Sequence, residues 1–264
     1  MMHMSWASNR RFLYITGIII FFAIVIGGPL VYKYENIPLT CHDGIQNQGE
    51  TTIDRGGPCL ILDERSILPY SVEWARALYV RDGTYNAVAY IQNPNKSAGV
   101  VKADYDFRFY DADHVLLAER KGETYIMPAG ITPIFEADIQ TGNGVVAHTS
   151  FEFTNKPLVW EKMHSSVSSI LVDGMLVSNV DSTTKLSAIA HNTDVSKNSN
   201  ISFVAVVFDT IGNAMSASAT SVPTLAGSSA VSLGFTWPKA FPLLVGSTDV
   251  LPLKAPIEDA AAQR

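Results

Sequence analysis

The densest set of groups able to hold a ligand lies between the chain's two cysteines, in CHDGIQNQGETTIDRGGPC, Cys41 to Cys59. Asp43, Asn47, Glu50 and Asp54 bring hard oxygen donors to this stretch. Ca²⁺ takes about six to eight such oxygens, and backbone carbonyls can complete its shell. The acids do not fall at alternate positions as in an EF-hand loop. Two readings therefore stand together: a small Ca²⁺ clip, or polar turn residues on a solvated loop. No other cofactor is suggested by the residues.

Hydrolytic chemistry needs a nucleophile, a base and a group that orients the base. The chain has no G-x-S-x-G, S-x-x-K or H-E-x-x-H segment. Its histidines (His3, His42, His114, His148, His164 and His191) are scattered among turn and polar residues. Glu136 and Asp138 would stand about 6.6 Å apart on one strand face, inside the range a glycosidase uses, but a solvated strand face presents the same pair. Trp74, Trp160 and Trp237 could form a platform for sugars or peptides, or fill cores, with Trp160 at the handover between two β units. The reading is that the protein is not an enzyme. A net charge of −6 argues against nucleic acid as a partner, because phosphate binding needs a basic face.

The elements that position these residues begin with FLYITGIIIFFAIVIGGPLVY, Phe12 to Tyr32, which carries no charge. As a helix it spans roughly 31 Å, enough to cross the hydrocarbon core of a membrane. Arg10 and Arg11 precede it and no acid does, so the positive-inside rule keeps the N-terminus, residues 1–11, in the cytoplasm and exports the rest. Apart from Arg10, Arg11 and Lys33, 16 basic residues face all 25 acids beyond the run, a charge of about −9 that favours solubility. A cleaved signal peptide is the alternative, with Val25-Ile26-Gly27 as a marginal cleavage site. In an exported chain, two cysteines bracketing a Gly- and Asp-rich stretch read as a disulfide, Cys41–Cys59, within a linker over 33–66; an intermolecular bond is the alternative.

From about Ile67 the text becomes short apolar runs broken by turn signals such as Arg81-Asp82-Gly83-Thr84 and Thr141-Gly142-Asn143-Gly144. Ser71 to Val80 alternates as a strand. In Asp104 to Asp111, Tyr105, Phe107 and Phe109 project to one side and Asp104, Asp106 and Arg108 to the other. Phe203 to Asp209 is apolar on both faces, which suits an interior strand packed from both sides. The text also repeats. Asp111 answers Asp209, Ala129-Gly130 answers Ala226-Gly227, and Ala89 to Asn93 answers Ala188 to Asn192, all at an offset close to one hundred residues. That offset is the size of one immunoglobulin-like sandwich. The expected architecture is all-β, two tandem immunoglobulin-like sandwiches over 67–162 and 163–255, with a flexible tail over 256–264.

Two resemblances bear on this. The cysteine segment resembles a short motif of many bacterial envelope and surface proteins, in which a further cysteine commonly precedes the Gly-Gly pair; Arg55 stands there, so that motif's pairing does not carry over. Phe107-Arg108-Phe109-Tyr110-Asp111 resembles the Phe-x-Leu-Tyr-Asp signature of FxLYD-type extracytoplasmic domains, and Phe208-Asp209 retains its aromatic-Asp end. The resemblance implies a β-sandwich fold and a single-pass envelope protein, and it implies no chemistry. On physical grounds the aromatics fill the space between sheets, and each aspartate accepts N–H groups in the turn beyond it. The function expected is a membrane-anchored, non-enzymatic interaction or assembly module at the cell envelope, with a protein partner or self-association. The alternatives are a self-associating spacer and a carbohydrate-binding or hydrolytic envelope enzyme.

Overall fold

An uncharged run of this length in a chain must satisfy its own backbone, and a helix does so without neighbours. In the computed structural model, which describes residues 6–35, 41–165, 167–180 and 183–258, helix α1 (Trp6–Phe22) passes through a π-helical turn (Ala23–Gly27) into α2 (Gly28–Glu35). Pro29 has no N–H to offer the carbonyl four residues earlier, and the widened turn falls just there. The span Arg10–Lys33 has a mean hydropathy of 2.3 and is 0% buried, so it is long and apolar enough to cross a membrane. This helical segment is one unit; a β body beginning at Cys41 is the other.

The β body contains one six-strand pattern twice. The first copy has β1 (Ser71–Arg81), β2 (Thr84–Asn93), β3 (Ala98–Tyr110), β4 (Leu116–Ile126), β5 (Gly130–Gln140) and β6 (His148–Phe153). They form a sheet β1-β2-β5 facing a sheet in which β3 lies between β4 and β6. After β7 (Glu161–His164) comes the second copy: β8 (Ile170–Val180), β9 (Thr183–Asn192), β10 (Asn198–Asp209), β11 (Ala214–Leu225), β12 (Ser229–Trp237) and β13 (Val245–Leu253). Its sheets, β8-β9-β12 and β11-β10-β13, repeat the first copy's order strand for strand. The chain is thus all-β after its helix, two tandem immunoglobulin-like sandwiches. The expected boundary at 162/163 falls inside β7. Of the expected flexible tail, β14 (Ile257–Glu258) pairs with His164 and Met163 of β7, back on the first sandwich.

Alternation explains both cores. Tyr105, Phe107 and Phe109 are 5%, 0% and 0% exposed and pack with Ala89, Ile91, Ile126 and Phe153. In the second copy Phe203, Ala205 and Val207 pack with Leu186, Leu233 and Phe235. Burying one such side chain contributes about 1.5–3 kcal/mol. The other face of β10 is apolar because it is buried too. Val204, Val206 and Phe208 meet Leu78, Val88 and Tyr90 of the first copy in a third cluster. Trp74 lies 4.3 Å from the Tyr90 ring and edge-on to Phe208 at 6.1 Å. Around it the Tyr90 hydroxyl donates to Asp249 Oδ2 (3.3 Å), Asn86 Nδ2 to the Ala217 carbonyl (3.1 Å), and Arg76 to Asn213 Oδ1 (3.3 Å). The sandwiches therefore share a core face to face. The tryptophan in this junction is Trp74; Trp160, 6% exposed, belongs to the first sandwich's own core.

Candidate functional site

The cysteine segment closes on itself before it meets the sandwich. Cys41 and Cys59 are disulfide-bonded with their Cα atoms 5.5 Å apart. Glu50, 7% exposed, turns inward, and its Oε2 accepts from the N–H groups of Asn47 (3.3 Å) and Asp54 (3.1 Å). Asp54 accepts in turn from the N–H groups of Asp43 and Gly44, both at 3.1 Å. Asp43 accepts from Ile45 N–H (2.8 Å) and from Asn47 Nδ2 (3.0 Å). The structure thus brings together all four oxygen donors singled out in the sequence, with the carboxylates aimed at backbone N–H groups, as turn-forming acids are. Among the described residues, the only three-residue group with ligand atoms within 4.8 Å of one another is Cys41, Glu50 and Cys59, and two of these are the bonded cysteines. Gly57 is needed in the knot: its φ is +54°, and a Cβ there would sit 2.2 Å from the Gly49 carbonyl oxygen.

Beyond the knot, the chain is fastened to the first sandwich. Leu62 N–H donates to the Trp160 carbonyl (2.8 Å) and Lys162 N–H to the Leu60 carbonyl (2.9 Å). The Lys162 ammonium donates to the Gly57 carbonyl. Asp63 caps the short 3₁₀ turn Glu64–Ser66; the side chain and then the backbone N–H of Arg65 hold its carboxyl far below the usual range. Asn95 exchanges hydrogen bonds with both backbone groups of Leu68, at 2.9 and 2.8 Å. The stretch read as a linker is thus part of the folded body.

The signature aspartates do the same work in both repeats. Asp111 Oδ1 accepts from the N–H groups of Asp113 and Val115, both at 2.9 Å. Asp209 Oδ1 accepts from Ile211 (3.0 Å) and Asn213 (2.7 Å), the same two positions along the turn. The Asn213 N–H chiefly holds the Asp209 carboxyl below its ordinary range. Tyr110, half-buried, ends β3 before this turn. Asn93 and Asn192, to which no sequence motif points, form a second repeated device. Each is buried at the end of its strand, donating to the carbonyls of Ala98 and Met127 in one copy and of Ser196, Leu225 and Ala226 in the other. Their recurrence at one offset was the signal available.

The outer face of β4-β3-β6 carries a network of charges. Arg108 reaches Asp106 (2.6 Å), Glu152 (2.8 Å) and Glu119 (3.3 Å), and Lys102 pairs with Glu123 (2.6 Å). Asp104, Asp106, Arg108, Lys121 and Glu123 line an open groove of about 630 Å³ there. Asp106 is 1% exposed, and burial pushes its carboxyl up, aided by the neighbouring Glu119 carboxylate and opposed by the Arg108 charge. Asp106, then Lys121, holds Glu119 low. Asp106 is the member of this pair that keeps its proton longer as pH rises.

The remaining candidates do not converge. Glu136 accepts from the Tyr105 hydroxyl (2.5 Å), whereas Asp138 is exposed in a bulge with φ +54°, which interrupts the alternation that would align the two. His114 and His148 stack at 5.0 Å, His191 lies 3.1 Å from Asp173, and His42 is exposed. His164 pairs through its backbone with β14. Trp237 is 5% exposed with its indole N–H on the Ala217 carbonyl (3.3 Å); it lines a cavity of about 250 Å³ with Tyr79, Met215, Pro238 and Phe241.

No family model matches the chain, and no curated protein matches it. Among solved structures, the crystal structure of red sea bream transglutaminase is similar over 72% of this chain at 11% identity, with a TM-score of 0.24. The chain spans 31% of that protein's length, and a likeness of this degree carries no argument about activity.

Proposed function

We propose that the chain is a membrane-anchored, extracytoplasmic, non-enzymatic interaction or assembly module of the cell envelope. The observation that carries this reading is the succession of two features along the chain. An apolar helical run, Phe12 to Tyr32, with Arg10 and Arg11 on its N-terminal side, is followed along the sequence by a segment closed by the Cys41–Cys59 disulfide. Disulfides persist in oxidising compartments, and basic residues stay on the cytoplasmic side, so the two features agree on one orientation. The shared core between the sandwiches buries the outer faces of β1-β2-β5 and β11-β10-β13 and gives the exported part a rigid body, leaving its other two outer sheet faces and its loops for contacts. The resemblance to FxLYD-type domains is in keeping with this.

The test is extraction and protection. Full-length chain should resist alkaline carbonate, dissolve in detergent, and lose its β body to protease added outside intact cells whose outer barrier has been opened. Recovery in the soluble fraction, or a β body sheltered until the inner membrane is broken, would refute the proposal.

A further inference from the structure

The turns that follow β3 and β10 match bond for bond, yet one position differs in a way the turn does not require. In the second copy the Asp209 carbonyl accepts from Gly212 N–H (3.1 Å), and Gly212 has φ +85°, a conformation glycine adopts without a Cβ clash. In the first copy the Asp111 carbonyl accepts from His114 N–H (3.2 Å), and His114 holds φ +62°. A side chain there is uncommon and carries strain that glycine avoids. The turn itself gives no reason for an imidazole. The reason lies across from it, where the ring stacks on His148 of β6 with centres 5.0 Å and planes 16° apart. Both residues are exposed, and among the described residues no hydrogen bond engages a nitrogen of either ring. His191, by contrast, is engaged with Asp173.

We propose that His114 and His148 form a two-histidine site for a divalent transition-metal cation of the Zn²⁺ class. Imidazole nitrogen suits Zn²⁺, Ni²⁺ and Cu²⁺, whereas Ca²⁺ and Mg²⁺ take hard oxygens. Two imidazoles on one tetrahedral Zn²⁺, each bonded at about 2.0–2.1 Å, have ring centres about 5 Å apart, which is the separation found here. Turning each ring about its Cβ–Cγ bond, a soft torsion, aims one nitrogen at the common point and leaves the ring centres almost in place. The backbones that carry the rings are already fixed. Asp111 Oδ1 holds the N–H groups of Asp113 and Val115, and β6 pairs His148 with Tyr110. The carboxylates of Asp111 and Asp113, in the same turn as His114, favour a dication there. With two ligands from this chain, the ion keeps about two positions for water or for a donor from another molecule, so it binds less tightly than at a closed four-ligand site. Bound, it staples the turn after β3 to β6, a link the second copy lacks because Gly212 stands in place of the histidine. This site does not depend on the anchored reading.

The experiment is equilibrium dialysis of the full chain in detergent against Zn²⁺. Wild type should show a saturable site that His114→Gly and His148→Gln each weaken by about tenfold or more, a range that even outer-shell partners of a metal reach. The double variant should bind no worse than either single one, because a chelate fails when one arm is lost. His191→Gln should leave the site unchanged. His114→Gly reproduces the glycine of the second copy, so its metal-free melting temperature should stay near that of wild type, and added Zn²⁺ should raise the melting temperature of wild type more than that of either variant. Zn²⁺ binding that is equal in wild type and in both single variants, or that is lost on His191→Gln instead, would overturn the proposal and leave the two rings as a stacked pair only. Neither result touches the anchored reading, which carbonate extraction and protease protection test separately.

Discussion

Replacing Phe208 with alanine asks whether the two sandwiches are one cooperative body. The ring is 9% exposed and stands edge-on to Trp74 at 6.1 Å and to Tyr90 at 6.5 Å. Phe→Ala in a core costs about 3–5 kcal/mol, and a position at the rim of its cluster belongs at the lower bound, about 3 kcal/mol. For a body of this size each kcal/mol lowers the melting temperature by about 2–4 °C, so the expected fall is about 6–12 °C. Calorimetry on the full chain in detergent measures it. Hydrogen exchange should show protection falling in β1 and β2 as well as in β10, although the mutation sits in the second copy. A double-mutant cycle with Trp74→Ala should return a coupling of about 1 kcal/mol. A shift under about 2 °C, or exchange changes confined to the second sandwich, would mean that the third cluster is contact without cohesion.

Three further outcomes are expected of the same structure. The folded-state pKa of Asp209 is depressed, so its turn contributes stability that is present above the unfolded value of about 3.9 and is lost as pH falls through the folded one; Asp209→Asn should flatten this acid limb in denaturant titrations. Asp106 has a raised folded pKa, so its contribution is full below the unfolded value and is lost as pH rises through the folded one, with Glu119 acting in the opposite sense. Asp106→Asn should then be neutral or stabilising at pH 7, and a marked loss in urea unfolding would show that the Arg108 pair outweighs burial. Cys41→Ala with Cys59→Ala frees a loop with a sequence separation of 18, worth about 3 kcal/mol, and should admit protease between Asp43 and Arg55 while leaving both sandwiches folded.

Much of the architecture was legible because it is local. Tyr105, Phe107 and Phe109 announce their strand by alternation, Asp111 and Asp209 announce their turns, and the hundred-residue offset announces two copies. The apolar character of both faces of Phe203 to Asp209 called for two partners, and the structure supplies them. What escaped was non-local. Trp160 and Trp74 look alike in sequence, and only the packing of sheets decides which one reaches the junction. The fastening of Leu60 to Leu62 onto Trp160 to Lys162 joins residues a hundred positions apart, so no periodicity records it. The bulge at Asp138 is equally silent, yet it separates the Glu136–Asp138 pair that regular strand geometry would have aligned.

The four residues of β7 carry a further consequence. Ile61 bridges to Glu161 on the incoming side, and β14 pairs with Met163 and His164 as the described chain ends. The segment that leads from the disulfide loop into the first sandwich and the last described strand are thus tied to a single short strand, and the whole second sandwich is a loop sewn between β7 and β14. Tension applied across the two ends would load this stitch first, sparing the hydrophobic interiors.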